Sequence, residues 1–190
     1  MANCFDNIPL EDLTQCVNSE LAAGTSETEV YAAVSEHIDS FPSLPPLGGD
    51  PATTTLEGLA TLNTDIAFTT GKGFFKLQAQ VDTGEVKDEL VGNKGNKKVK
   101  SSYEFFLTNT SARNIGFIRQ FKNTPMVFIV KEKTGRYRVI GSKTIPVYMD
   151  EASGTTGKGS EDDNGWNISV SATSGNPAPV YTGNIVLPSA

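Results

Sequence analysis

With 190 residues, ten prolines and eighteen glycines, the chain is one domain, or one domain with an extended arm, and it is punctuated too often for long helices. A hydrophobic share of 37% predicts a thin core and a large surface. The formal charge of −6 argues against a protein that grips nucleic acid, because basic side chains supply most of that affinity, yet it suits a surface that DNA must pass without sticking.

In chain order, residues 1–28 read as an arm. Asp6 or Asn7 can cap a short helix over 9–17, with Pro9 in its first turn and Leu10, Leu13 and Val17 at helical spacing. Cys4 and Cys16, the two cysteines, lie in this arm. The stretch MANCFDNIPLEDL lacks the basic and then apolar segments of a secretory leader, and no run approaches the about 20 apolar residues of a membrane span. The expectation is cytoplasmic synthesis with free thiols. Residues 29–34 (EVYAAV) predict a short strand, because Phe41-Pro42 cuts off any longer helix. Residues 42–55 (PSLPPLGGDPATTT) predict a linker-like loop that is functional or wraps over a neighbour.

From Asp65 the pattern turns to β. Ile66 and Phe68 alternate with polar residues, TTGKG at 69–73 predicts a hairpin tip, and Phe75, Leu77, Ala79 and Val81 alternate after it. Residues 99–107 (VKSSYEFFL) predict a strand with Tyr103, Phe105 and Leu107 on one face. Asn109 or Thr110 then caps a helix carrying Ala112, Ile115, Ile118 or Arg119, and Phe121 at helical spacing, ending near Asn123 before Pro125. PMVFIVKE and RYRVIGS, joined by a KTG turn, form the strongest predicted hairpin. The unbroken apolar run 126–130 marks a central strand buried on both faces. Strands near 166–172 and 180–186 follow a long polar loop that contains a second TTGKG at 155–159. This order predicts a mainly β domain over 29–190, a β-sandwich or barrel with one flanking α-helix, an N-terminal arm and long loops.

Both TTGKG copies invite a phosphate-loop reading, which needs G-x-x-x-x-G-K-[ST] between a strand and a helix. The first copy has no opening glycine, and Gly73 stands where the hydroxyl belongs. In the second, Gly154 and Gly157 are too close together and Gly159 follows the lysine. Turn glycines are the simpler reading. The run EDDNG at 161–165 is continuous where a calcium loop alternates, and no glutamate closes it at the twelfth position. A solvated acidic turn is expected, with Asn164-Gly165 at positive φ. His37, the single histidine, could activate Cys16 as a nucleophile, but neither lies in a recognisable motif, and a histidine beside Asp39 in a turn is expected. Zinc would need more Cys and His than the chain offers. Glu85, Asp88 and Glu89 alternate with lysine as in an exposed strand or loop. No catalytic residue, metal ligand or cofactor is assigned, and a non-enzymatic protein is expected.

Residues 83–100 (TGEVKDELVGNKGNKKVK) are acidic first and basic afterwards, with Lys94, Lys97, Lys98 and Lys100 at the end. Two readings stand open: a solvated hairpin tip of mixed charge, or a complementary head-to-tail contact between identical subunits.

Gly116-Phe117, the run KNTPMVFIVKEKTGRYRVIGS at 122–142, TTGKGSEDDNGW at 155–166 and PAPVYTGNIV at 177–186 together resemble the major tail-tube proteins of tailed bacteriophages. EVYAAVSEHIDSFP at 29–42 also looks like the strand with which that family's domain begins. The resemblance implies a structural virion protein whose copies close their sheets into hexameric rings around an inner barrel. The rings stack into a tail tube, assembled in the host cytoplasm and joined to other tail proteins. DNA passes through the lumen without specific binding, and no membrane is involved. Subunit-interface candidates are Phe75 and Leu77, Tyr103 and Phe105 in the ring wall, and Lys94, Lys97 and Lys98 toward the adjacent ring, with the helix outside. The alternatives are a capsid decoration protein, a head–tail connector or terminator protein, and a small-ligand domain or enzyme; decoration proteins, tail terminators and the tubes of contractile injection systems share similar sandwiches.

Overall fold

Two-residue alternation builds most of this protein, and the exceptions to it locate the layers. A computed structural model describes residues 24–47 and 55–188; the expected helix at 9–17, both cysteines and part of the 42–55 loop lie outside them. The strands are β1 (Thr25–Val34), β2 (Ile38–Ser40), β3 (Thr61–Leu62), β4 (Ala67–Phe68), β5 (Phe75–Leu77) and β6 (Glu85–Val91). They continue with β7 (Lys98–Thr108), β8 (Met126–Glu132), β9 (Tyr137–Ile140), β10 (Tyr148–Thr155), β11 (Gly165–Ser174) and β12 (Val180–Tyr181). The helices are α1 (Leu56–Leu59) and α2 (Ala112–Phe121).

A six-stranded sheet runs β3-β12-β9-β8-β1-β5, a four-stranded sheet runs β10-β11-β7-β6, and β2 pairs with β4 in a small third sheet. The main core lies between the two large sheets. Val30, Ala32, Phe128, Val130 and Ile140 face Tyr103, Phe105, Leu107, Ile168 and Val170 across it. A second cluster gathers Val127, Ile129 and Val139 with Ile38, Ile66, Phe74 and Tyr181. Consecutive residues of β8 therefore enter opposite clusters, which explains its unbroken apolar run. The fold is the expected mainly β sandwich with a flanking helix.

Helix α2 starts at a Ser111 cap, whose hydroxyl accepts from the Asn114 amide at 3.3 Å, and not at Asn109 or Thr110. Asn109 instead sits at φ +79°, and its carbonyl accepts from the Asn114 side chain at 2.7 Å. Phe117, Ile118 and Phe121 pack against the main core, and the helix ends at Phe121.

Several expected elements differ. The β1 strand begins at Thr25, inside the expected arm. The first TTGKG makes a tight turn, closed by the Lys72 amide on the Thr69 carbonyl at 2.9 Å with Gly71 at φ +77°, but not a hairpin. The strand before it pairs with β2 and the strand after it with β1, so the turn passes the chain between sheets. Gly73 fits here because a Cβ would lie 2.7 Å from the backbone of Val186 and Leu187. The expected strand over 75–81 stops at Leu77, and Val81 is exposed. The expected polar loop before Trp166 contains β10, paired along its length with β11, so the second TTGKG forms the hairpin tip. Gly157, at φ +70°, supplies the left-handed position there, and neither Asn164 nor Gly165 does. The last strand is confined to Val180–Tyr181; beyond it, Asp65 holds the Asn184 amide at 2.7 Å and Val186 accepts from the Phe74 amide.

Candidate assembly surface

The four-stranded sheet uses its two faces differently. Odd positions of β7 from Val99 to Leu107 are buried, whereas Lys100, Ser102, Glu104 and Phe106 point the other way. Register carries that outer face across the sheet, setting Glu151 opposite Ser169, Ser169 opposite Glu104, and Glu104 opposite Glu85. Three exposed carboxylates thus form one row crossing all four strands. Glu104 and Glu85 are direct cross-strand neighbours, a like-charge pairing that is normally unfavourable in a sheet. Nearby, Lys87 bridges Glu89 at 2.7 Å. That carboxylate raises the Lys87 pKa, with smaller contributions from Glu85 and Glu104, and Lys87 in turn lowers that of Glu89.

Strands β6 and β10 bound this sheet, and among the described residues neither pairs along its outer edge. Leu90 of β6 lies on the same side as Val86 yet is 72% exposed, although its register partner Val99 is buried.

The two ends of the sheet carry opposite charge. At the end where Val99 pairs with Ser174, the β6–β7 turn uses Gly92 at φ +94° and Gly95 at φ +80° and exposes Lys94, Lys97 and Lys98. At the other end, where Thr108 pairs with Gly165, the β10–β11 tip exposes Glu161, Asp162 and Asp163. Here Asp162 accepts from the Lys158 and Gly159 amides at 2.7 Å each. The Gly159 and then the Lys158 amide lower its pKa. The amides that a phosphate-loop reading would aim at a ligand are thus turned onto the chain's own carboxylate.

The expected interface residues divide into two groups. Lys94, Lys97 and Lys98 are exposed at the hairpin tip. Leu77, Tyr103 and Phe105 are buried in the main core, and half-buried Phe75 meets Phe121 of α2 with ring centroids 5.2 Å apart. Those four side chains hold the sandwich and its helix together, and β7 is flanked on both sides within its own sheet. Among the described residues, the free edges of the four-stranded sheet belong instead to β6 and β10, while β5, which carries Phe75 and Leu77, is an edge strand of the six-stranded sheet. The full burial of Phe74, edge-on to Phe68 at 4.9 Å, was not distinguishable from the neighbouring Phe75 in the sequence.

Asp88 is not the freely solvated strand residue expected. It accepts from the Ser101 hydroxyl, from the Ala178 amide at 3.2 Å and from the Arg138 guanidinium. Arg138 also donates to the Ala178 carbonyl at 2.7 Å and to Glu132. The cluster ties β6 to β9 and to the segment before β12. A signal existed in the alternation of Val86, Asp88 and Leu90, which places a carboxylate at an inward position. Asp88→Ala leaves Arg138 short of one charge partner and the Ala178 amide without its acceptor. It is expected to destabilise the fold by about 2–3 kcal/mol in denaturant titration, and a loss below about 0.5 kcal/mol would contradict this role.

His37 closes a short 3₁₀ turn, Ser35–His37, and its carbonyl accepts from the Thr69 amide at 3.0 Å, while Asp39 accepts from the Thr69 hydroxyl. Among the described residues no three His, Cys, Asp or Glu side chains gather as a metal site. A groove of about 630 Å³ opens between segments 41–47, 141–145 and 174–179; among the described residues Lys143 is its one charged lining residue. No helix among the described residues is long and apolar enough to cross a membrane. Comparison of the chain with protein-family models, with curated proteins and with solved structures gave no match.

Proposed function

We propose that the chain is the repeating structural subunit of a phage tail tube. The carrying observation is the four-stranded sheet, with one face in the core, a polar outer face crossed by carboxylates, and two edges that are unpaired among the described residues. A sheet of this kind leaves rows of unsatisfied backbone groups at β6 and β10, which pairing with a neighbour removes. In the proposed ring, β6 of one copy lies beside β10 of the next, so that the sheets continue into a closed barrel. The row Glu151, Glu104 and Glu85 then repeats around the lumen as a carboxylate band that repels DNA phosphates. Exposed Leu90 on β6 gains apolar cover in that contact.

Negative-stain microscopy of the purified protein tests the reading. Uniform rings or hollow tubes are expected. A monomer that persists across protein and salt concentrations rejects it, and binding only to preformed capsids or connectors favours a decoration or connector role.

A further inference from the structure

We propose that copies of the chain meet head to tail along the strand axis of the four-stranded sheet, the lysine tip of one copy seated on the carboxylate tip of the next. The inference rests on the tail-tube reading and names the stacking partner within it: a second copy of this chain, met through the β10–β11 tip.

Strand β7 runs eleven residues and separates the two tips. That is about 34 Å at ~3.4 Å per residue. The screening length at physiological salt is about 8 Å, so the tips do not neutralise one another within one subunit. Lys94, Lys97 and Lys98 have no carboxylate among residues 92–98, and nearby Glu89 is already bridged to Lys87. At the opposite tip, Lys158 offsets one of the three carboxylates Glu161, Asp162 and Asp163. Each subunit therefore presents an unbalanced positive end and an unbalanced negative end.

Two like tips repel, which disfavours a two-fold contact. Opposite tips attract, and a heterologous contact of that kind repeats indefinitely along its axis, as a stack requires. Both tips are held in fixed turns: Gly92 and Gly95 shape one, and Asp162, bonded to two amides, shapes the other.

Charge reversal tests the contact. The variants are K97E/K98E, E161K/D163K and all four substitutions combined, with Asp162 retained because it holds its loop. Circular dichroism checks folding, and microscopy with sedimentation velocity reads assembly at physiological salt. Each two-site variant is expected to lose sedimenting tubes while still forming rings. The combined variant, whose tips again have opposite sign, is expected to recover them. Normal tubes from both two-site variants, or a folded combined variant that fails to stack, overturns the tip contact and leaves the subunit reading intact. A wild-type protein that forms neither rings nor tubes overturns both.

Discussion

Replacing Phe128 by alanine is expected to remove about 3–5 kcal/mol of stability, the range for deleting a buried aromatic ring from a core. Phe128 lies in β8, the strand shared by both clusters, and is fully buried. Its ring centroid is 6.4 Å from those of Tyr103 and Phe105, so one side chain from the six-stranded sheet bridges two from the four-stranded sheet. Small Ala32 is its register partner on β1 and cannot expand into the space. A domain is held by only about 5–15 kcal/mol in total, so this truncation removes a substantial part of the margin. The midpoint of urea or guanidinium unfolding should fall accordingly. A loss below about 1 kcal/mol would mean that the two sheets do not depend on this contact.

Gly165→Ala is the second large effect, although it adds only a methyl group. A Cβ at that position would fall on the Leu107 carbonyl oxygen and within 2.5 Å of the Phe106 ring. A flexible side chain could rotate aside, but the carbonyl belongs to the neighbouring strand and moves only if β7 and β11 separate. The expected cost is about 2–3 kcal/mol, as for overpacking. For a domain of this size that is a fall of about 4–12 °C in the thermal midpoint. Gly175→Ala serves as the control, since a Cβ there meets nothing within 4 Å. Equal midpoints for the two variants would refute the close strand approach.

What the sequence made legible follows from which faces are covered. The β8 strand declared itself because both of its faces are buried, and β7 because one of them is. The β10 strand did not: Met149 and Ala152 are its only half-buried residues, and the register shift between Met149 and Glu151 breaks the two-residue period. The TTGKG copies show a second limit. Glycine at positive φ can be read as a turn, but the strands joined by that turn are chosen by partners distant in sequence. The apolar faces at Phe75, Leu77, Tyr103 and Phe105 were also legible as faces. Their occupant was not, because a sandwich covers its own sheets before it covers a neighbour's. The carboxylate row could be read only after register brought Glu151, Glu104 and Glu85 together.

The bond from Asp162 to the Lys158 and Gly159 amides separates shape from charge at the β10–β11 tip. One acidic residue fixes the loop's form, while Glu161 and Asp163 project from it as exposed side chains. Sequence change at those two positions alters the sign and strength of the tip without unmaking the turn that presents it. Partner preference at this end of the molecule can therefore drift or be redesigned independently of folding, with Asp162 as the position that has to stay.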